Sequence, residues 1–507
     1  MAENTTHILR HLLQVVDPVE ICGNADIPIS GLACDSRQVQ PGNVFFALSG
    51  VHADGFQFLP QALAAGAVAV VAEQLPEQCH DDVCYVQVAD ARRAMALIAA
   101  EFYGNPTAGA VVVGVTGTNG KTSTTYLLEA IFKQAGYSPA VFGTVEYRFG
   151  NTTYEAANTT PESIELLRLM AEFRKLGADV LILEASSHAL EQHRTDGVEF
   201  DAAIFTNLTQ DHLDYHETFD AYFDSKKRLF TELLGLGAGI INREDSWGCK
   251  LLAMNENWVS YGLDNRADIY PLRVEVGRDH ISGVFTTPQG EISVESGMIG
   301  DFNVSNLLAA SAAALQLGIT CDVIAKGIAA APQVPGRVEK VENPRGVLAL
   351  VDYCHTEDSL DQALKTLSKL DHQRLITVVG CGGDRDKTKR PKMAAAAVKY
   401  SDLTIFTSDN PRTEDPLQIL EEIRQGALAA GSSELTAGQL MEHSGFVVVP
   451  DRREALELAG RCAKKGDLLL AAGKGHEDYQ VLGTIKVHFD DREELSRVLN
   501  EGATLDV

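Results

Sequence analysis

No stretch of this 507-residue chain approaches the roughly 20 consecutive apolar residues of a bilayer-spanning helix. No membrane span is expected. The first residues, Met1-Ala-Glu-Asn-Thr-Thr-His7, lack the basic start and apolar core of a secretory signal. Nor is there a disulfide framework: the nine cysteines are odd in number, scattered, and never spaced C-x-x-C. They read as free thiols in a reducing cytoplasm. Positive charge is scarce, with 43 Lys and Arg against 70 Asp and Glu and a formal net charge of −27. Such a field repels polyanions, so no nucleic-acid partner is expected. A small nucleotide is the natural occupant of any phosphate site.

One phosphate site is evident. The apolar run Ala110–Val115 reads as a buried strand and leads into Thr116-Gly-Thr-Asn-Gly-Lys-Thr122, after which a helix is expected to Gln134. Gly114 stands six residues before Gly120, one more than G-x-x-x-x-G-K-[ST] requires, so the loop is the shorter T-G-T-N-G-K-T form. Gly117 and Gly120 let backbone N–H groups point at phosphate oxygens. Lys121 can reach the β and γ phosphates, and the Thr122 hydroxyl can hold Mg²⁺. The expected ATP cradle is Gly117, Thr118, Asn119, Gly120, Lys121, Thr122 and Ser123.

Length suggests about three domains of roughly 150 residues. Residues 1–106 read as a small α/β unit, with strands at 44–47 and 67–72 around a helix at 58–65. Residues 107–336 read as a doubly wound phosphate-loop unit with strands at 110–115, 180–184 and 202–206. This unit includes a β-rich, antiparallel insertion at 268–298 and a helix at 303–317. Residues 332–336 read as a hinge. Residues 337–507 read as a Rossmann-like α/β unit, with strands at 346–352, 374–379, 403–407 and 467–471, each followed by a helix. The fold class is α/β.

Polar clusters fall just past the C-terminal ends of these strands: Glu184–His188, Thr206–His212, Asp352–His355, Cys381–Arg385, Ser408–Arg412 and Gly473–Glu477. Ligands of open parallel sheets bind there. Two sheets facing one another would hold ATP and substrates between them. Glu184, ending a strand beside the loop, is the expected Mg²⁺ carboxylate. His212, in a polar cluster, is a second candidate metal ligand. Lys226 lies close by in sequence, where a free ammonium suits no metal site, and a surface lysine on an amphipathic helix is the alternative. A basic cluster, Arg385, Lys387, Lys389, Arg390 and Lys392, stands out on the acidic background and suggests a functional role.

These motifs resemble the Mur ligase family over essentially the whole chain. The resemblance rests on Asp35-Ser-Arg37, Gly117–Thr122, Asn158-Thr-Thr-Pro161, Glu184–His188, Asp211-His-Leu-Asp214, Phe302–Asn306, Pro335-Gly-Arg337, Gly382–Asp386, Asp409-Asn-Pro-Arg412 and Gly473–Glu477. It implies ATP-dependent formation of an acyl phosphate, then attack by an amine, in peptidoglycan synthesis. It implies two Mg²⁺ ions, held by Thr122, Glu184, His212 and a carbamylated Lys226. Lys121, Lys226, His212 and His355 would be catalytic. Asn303 and Asn306 would lie on the adenine side, with Arg337 and Asp352 as further nucleotide contacts. Ser36, Asn158, Thr159, Thr160, Ser186, Gln192 and Arg194 would bind the UDP-MurNAc-dipeptide. A monomer is implied. Two residues depart from the family's D-Y-A-H-T-P, here Asp352-Tyr-Cys-His-Thr-Glu357, which puts local loop geometry in question.

Asp409-Asn-Pro-Arg412 matches the form associated with meso-diaminopimelate. That amino acid has a distal carboxylate, for which Arg385 and Arg412 offer bidentate donors. Asp409, Asn410, Pro411, Gly473 and Glu477 complete the expected site, Glu477 taking the distal ammonium. Lysine would leave buried arginines unpaired, a discrimination worth about 10⁴-fold. The rival readings are a lysine-adding or D-Ala-D-Ala-adding relative, a folylpolyglutamate-type ligase, and a nucleotide switch without ligation.

Overall fold

The computed structural model describes residues 7–50, 54–436 and 438–501. Residues 1–6, on which the reading of the N-terminus depends, and 51–53 of the glycine-rich loop lie outside the described residues, as does the Asp214 side chain.

Among the described residues the central sheet has eight strands. Val111–Thr116 lies at its middle, flanked by parallel neighbours Val180–Glu184 and Ala202–Phe205. Pro139–Phe142 lies beyond the first of these, and Ala238–Asn242 then Val259–Tyr261 beyond the second. Chain order therefore reverses at the phosphate-loop strand, and that switch opens a crevice at the strands' C-terminal ends. These strands are apolar on both faces because two cores cover them. Val112 and Leu181 enter one cluster, Val113 and Ile182 the other. The antiparallel insertion is Tyr270–Val276, Ile281–Thr287 and Gly290–Ser296.

A six-stranded sheet forms the third unit. Asp352 pairs in register with Ala472, and Cys381 with Ser408. This places the Asp352–His355 loop beside Gly473–Glu477, and Gly382–Asp386 beside Asp409–Arg412. One expectation fails here. Leu468–Ala472 is followed not by a helix but by a hairpin, Tyr479–Leu482 with Ile485–His488, before helix Asp491–Glu501. Tertiary contacts hold this hairpin: Val481 N donates to Asn410 Oδ1 (2.9 Å), and Gln480 Nε2 to Asp409 O (2.6 Å). The first unit carries a five-stranded sheet from Glu20 to Gln87, including strands Glu20–Cys22, Gly31–Ala33 and Cys84–Gln87, which the sequence reading missed. No helix among the described residues is long and apolar enough to cross a membrane, and all nine cysteines are free.

Candidate active site

The phosphate loop is shaped by its glycines. Gly117 has φ +141°, and a Cβ there would run into Thr206 Oγ1. Gly120 has φ +87°, and a Cβ there would run into Asn306 Oδ1. Side chains from the neighbouring strand end brace the loop: Thr206 Oγ1 donates to Asn119 O (2.6 Å), and Asn119 N donates to Asn207 Oδ1 (2.9 Å). Lys121 Nζ donates to Gly117 O (2.9 Å) and Thr118 O (2.8 Å). Burial lowers its pKa, against the pull of Glu184.

Glu184 stands beside the loop because its strand pairs with the loop's own strand. Its Oε2 accepts from Thr122 Oγ1 (3.1 Å) and Thr144 Oγ1 (2.9 Å), and its Oε1 from Thr144 N (3.0 Å). The sequence reading missed Thr144. It lies two residues past strand Pro139–Phe142, a neighbour of the Glu184 strand, and the same strand-end rule could have found it. A carboxylate with two hydroxyls is a hard oxygen set, and it fits Mg²⁺.

Lys226 is no surface lysine. It is 1% exposed, donates to Gly117 O at 2.9 Å, and lies 4.5 Å from the Tyr222 ring centroid. Burial, reinforced by Lys121, pushes its pKa well down. Surface exposure falls instead to the next residue, Lys227, paired with Asp224. His212 is half-exposed, in a left-handed conformation (φ 54°), with its ring 4.7 Å from that of His188. No group of three or more His, Cys, Asp or Glu side chains suited to a metal occurs among the described residues.

Two cavities meet here. One, of about 450 Å³, is lined by Thr118–Ser123, Thr144, Thr159, Glu184, Ser186, His212, Asn306, Arg337, Asp352 and Cys354 among others. Asn303 is not at its wall; it accepts from Asn306 Nδ2 (2.8 Å) and so orients Asn306. Arg337 Nη2 donates to Thr122 Oγ1 (3.3 Å), reaching the loop from the hinge. Asp352 receives Val338 N (2.7 Å) and Cys354 N (2.8 Å), and burial raises its pKa. The second cavity, about 690 Å³, is lined by Arg385, Asp409, Asn410, Arg412, Gly473 and Glu477, but not Pro411. His355, Tyr353, Thr356, Asp211, His212 and Asp358 line both. His355 Nδ1–H donates to Tyr353 O (2.8 Å), and burial next to Lys389 lowers its pKa.

Other expected residues flank the cavities. Thr160 Oγ1 donates to Glu184 O (2.6 Å), and Arg194 Nη1 to Thr160 O (3.1 Å). Arg194 also holds Gln192, whose Nε2 donates to Tyr215 (3.0 Å). Asn158 O accepts from Tyr147. Ser36 is buried in the first unit with its hydroxyl on Gln61 (3.0 Å), away from both cavities.

The expectation of buried arginines is corrected. Arg385 is exposed and Arg412 half-buried, with Nη1 donating to Gly383 O (2.7 Å). The buried guanidinium is Arg390, paired with Glu414 (2.9 Å) and Glu422 (2.8 Å). Burial there is tolerated because two carboxylates compensate it. The basic cluster thus splits: Lys387 joins Glu414 away from the cavity, while Arg385, Lys389 and Lys392 stay at its wall, Lys392 facing Glu357. Lys474, fully buried, lies between Asp409 (3.5 Å) and Glu477 (3.4 Å). Burial, then the neighbouring Asp409 charge, raises the Glu477 pKa. The two departures sit at defined positions in the loop. Cys354 N donates to Asp352 Oδ1 (2.8 Å), and Glu357 opens helix Glu357–Leu367 behind a Thr356–Ser359 capping box.

A phosphate loop at the switch point of one doubly wound sheet, facing the strand ends of a second across joined cavities, defines a modular nucleotide-dependent α/β enzyme. Residues 28–103, 115–314 and 336–475 match, in order, the Mur ligase family catalytic domain, the Mur ligase middle domain and the Mur ligase glutamate ligase domain. The chain belongs to the Mur ligase family. It is 49% identical to the UDP-N-acetylmuramoyl-L-alanyl-D-glutamate–2,6-diaminopimelate ligase of Geobacter metallireducens, over 97% of this chain and 98% of that one. It is 50% identical to the ligase of the same name from Geobacter sulfurreducens, over 96% and 97%. A solved structure of a ligase so named superposes with a TM-score of 0.71 at 32% identity, covering 98% of this chain and 100% of that one.

Proposed function

We propose that this ligase joins meso-2,6-diaminopimelate to the D-Glu carboxylate of UDP-N-acetylmuramoyl-L-alanyl-D-glutamate, cleaving ATP to ADP and phosphate. The observation that carries this reading is the joining of the two cavities through His355 and Asp358, one lined by the phosphate loop and the other by Arg385, Arg412 and Glu477. The names of the two Geobacter relatives support it.

A carboxylate is a poor electrophile until its oxygen becomes a leaving group. In this reading the D-Glu carboxylate takes the γ-phosphoryl group, the amine attacks the acyl phosphate, and phosphate leaves through a tetrahedral intermediate. Catalysis is then positioning and charge neutralisation. Lys121 leans on the transferring phosphoryl group, and Arg337 brings positive charge from the hinge. Thr122 and Glu184 would hold one Mg²⁺; His212 and a carbamylated Lys226 would hold another. Bound there, the ions would neutralise charge developing on phosphoryl oxygens. Ser36 would serve the uridine end of the nucleotide sugar, and Asn158, Thr159, Thr160, Ser186, Gln192 and Arg194 its diphosphate and peptide. The enzyme would work in the cytoplasm as a monomer.

The test is product formation from ATP, Mg²⁺ and the UDP-dipeptide with either amino acid. Turnover with meso-diaminopimelate and little with L-lysine is expected. Equal rates with both would sink the assignment.

A further inference from the structure

We propose that Glu414 is a positioning residue that sets the spacing of Arg385 and Arg412, and through it the choice of amino acid. The proposal rests on the reading that these two arginines receive the distal carboxylate of the diamino acid.

The two arginines sit on separate loops, after strands Leu375–Cys381 and Leu403–Ser408. Pairing of those strands brings the loops together but leaves the loop tips undetermined. A reciprocal clasp holds the tips. Gly383 N donates to Asn410 O (2.9 Å), and Arg412 Nη1 returns a bond to Gly383 O (2.7 Å). Asp384 N donates to Glu414 Oε1 (2.6 Å), while the Asp384 carboxylate accepts from Thr413 N (3.1 Å) and Thr413 Oγ1 (3.0 Å). Asp384 (φ 53°) and Arg412 (φ 52°) are both left-handed, a conformation uncommon for a residue such as arginine.

Glu414 anchors this clasp to the core. The same Oε1 that receives Asp384 N also pairs with Arg390, which is wholly buried, and Oε2 pairs with Lys387 (3.1 Å). Arg390, with help from the Asp384 N–H, holds the Glu414 carboxyl down to about 2, so the anchor stays charged. Glu414 does not line the cavity. Its effect on recognition must pass through the loops. Bidentate pairing of a guanidinium with a carboxylate depends on fixed placement of both, and a loosened clasp gives that up.

The experiment is steady-state kinetics of full-length Glu414→Ala and Glu414→Gln, varying each substrate and comparing meso-diaminopimelate with L-lysine. Glu414→Ala should raise KM for meso-diaminopimelate by about 10-fold or more, the scale of losing a charged hydrogen bond. Turnover at saturation and KM for ATP should hold, and the preference over lysine should fall. Glu414→Gln, which keeps an oxygen for Asp384 N–H, should recover part of the loss. An unchanged KM, a parallel rise in KM for all three substrates, or a loss confined to kcat would each overturn the proposal. Should Glu414→Ala not fold, as thermal unfolding would reveal, Asp384→Ala carries the same expectations from an exposed position. A wild-type enzyme that ignores meso-diaminopimelate defeats the functional reading; a selective wild type with unaltered variants defeats this proposal alone.

Discussion

Asn119 Nδ2, on the phosphate loop, donates a 3.3 Å hydrogen bond to Asp358 Oδ2, 239 residues away in the first turn of helix Glu357–Leu367. The bond ties the loop to the third unit at the junction of the two cavities. Disrupting it should loosen the grip on nucleotide by coupling, not by lost phosphate contacts. A double-mutant cycle of Asn119→Ala and Asp358→Ala, read by calorimetric ATP binding, should give a coupling energy of about 1 kcal/mol. Strict additivity would show the two side chains to be independent.

Arg337 makes a second tie, to Thr122 Oγ1. Arg337→Ala should raise KM for ATP by about 10-fold, the cost of one charge-assisted hydrogen bond. KM for the UDP-dipeptide should change less. Initial rates at varied ATP check this.

Gly117→Ala should weaken ATP binding by about 10-fold or more, because a residue with a Cβ is strained at φ +141° and this one meets Thr206. The strand and helix around the loop are otherwise undisturbed, so the variant should still fold. Calorimetry and thermal unfolding measured together distinguish the two effects.

Lys226→Ala should abolish ligation and be partly restored by short carboxylates, which can supply the missing oxygen. Intact-mass measurement of the native protein should show one added carboxyl group on Lys226. Near-normal activity in the variant would remove the carbamate from the mechanism.

His476 supplies a pH dependence. Burial, with Arg337 and Arg492 nearby, lowers its pKa from 6.5 to about 4. Between those values the unfolded chain binds a proton that the folded one does not, so stability rises with pH there. The contribution is complete above 6.5 and lost as pH falls toward 4. Melting temperatures of wild type and His476→Gln should converge over that window as pH is lowered.

Much of the site was legible from local pattern. A strand, a glycine loop and a helix must join in that order wherever an apolar run meets Gly117 to Thr122, and Glu184 ends a run long enough to be the neighbouring strand. The polar clusters were located by the strand ends alone. Thr144 escaped because the short run Pro139–Phe142 does not stand out as a strand in the sequence, so the strand-end rule had no strand to apply to there. Lys226 could not be told from Lys227 by spacing, since both lie on one helical segment and burial separates them.

The sequence by itself determined the phosphate loop, the alternation of strands and helices, and the strand ends where chemistry gathers, because backbone conformation and hydrophobic period are local properties. Tertiary structure alone decided that Lys226 is buried, that Arg385 is exposed while Arg390 is not, and that a hairpin rather than a helix supports Asn410. Each of those outcomes depends on which distant side chains compensate a charge or claim a backbone group, and no local pattern records it.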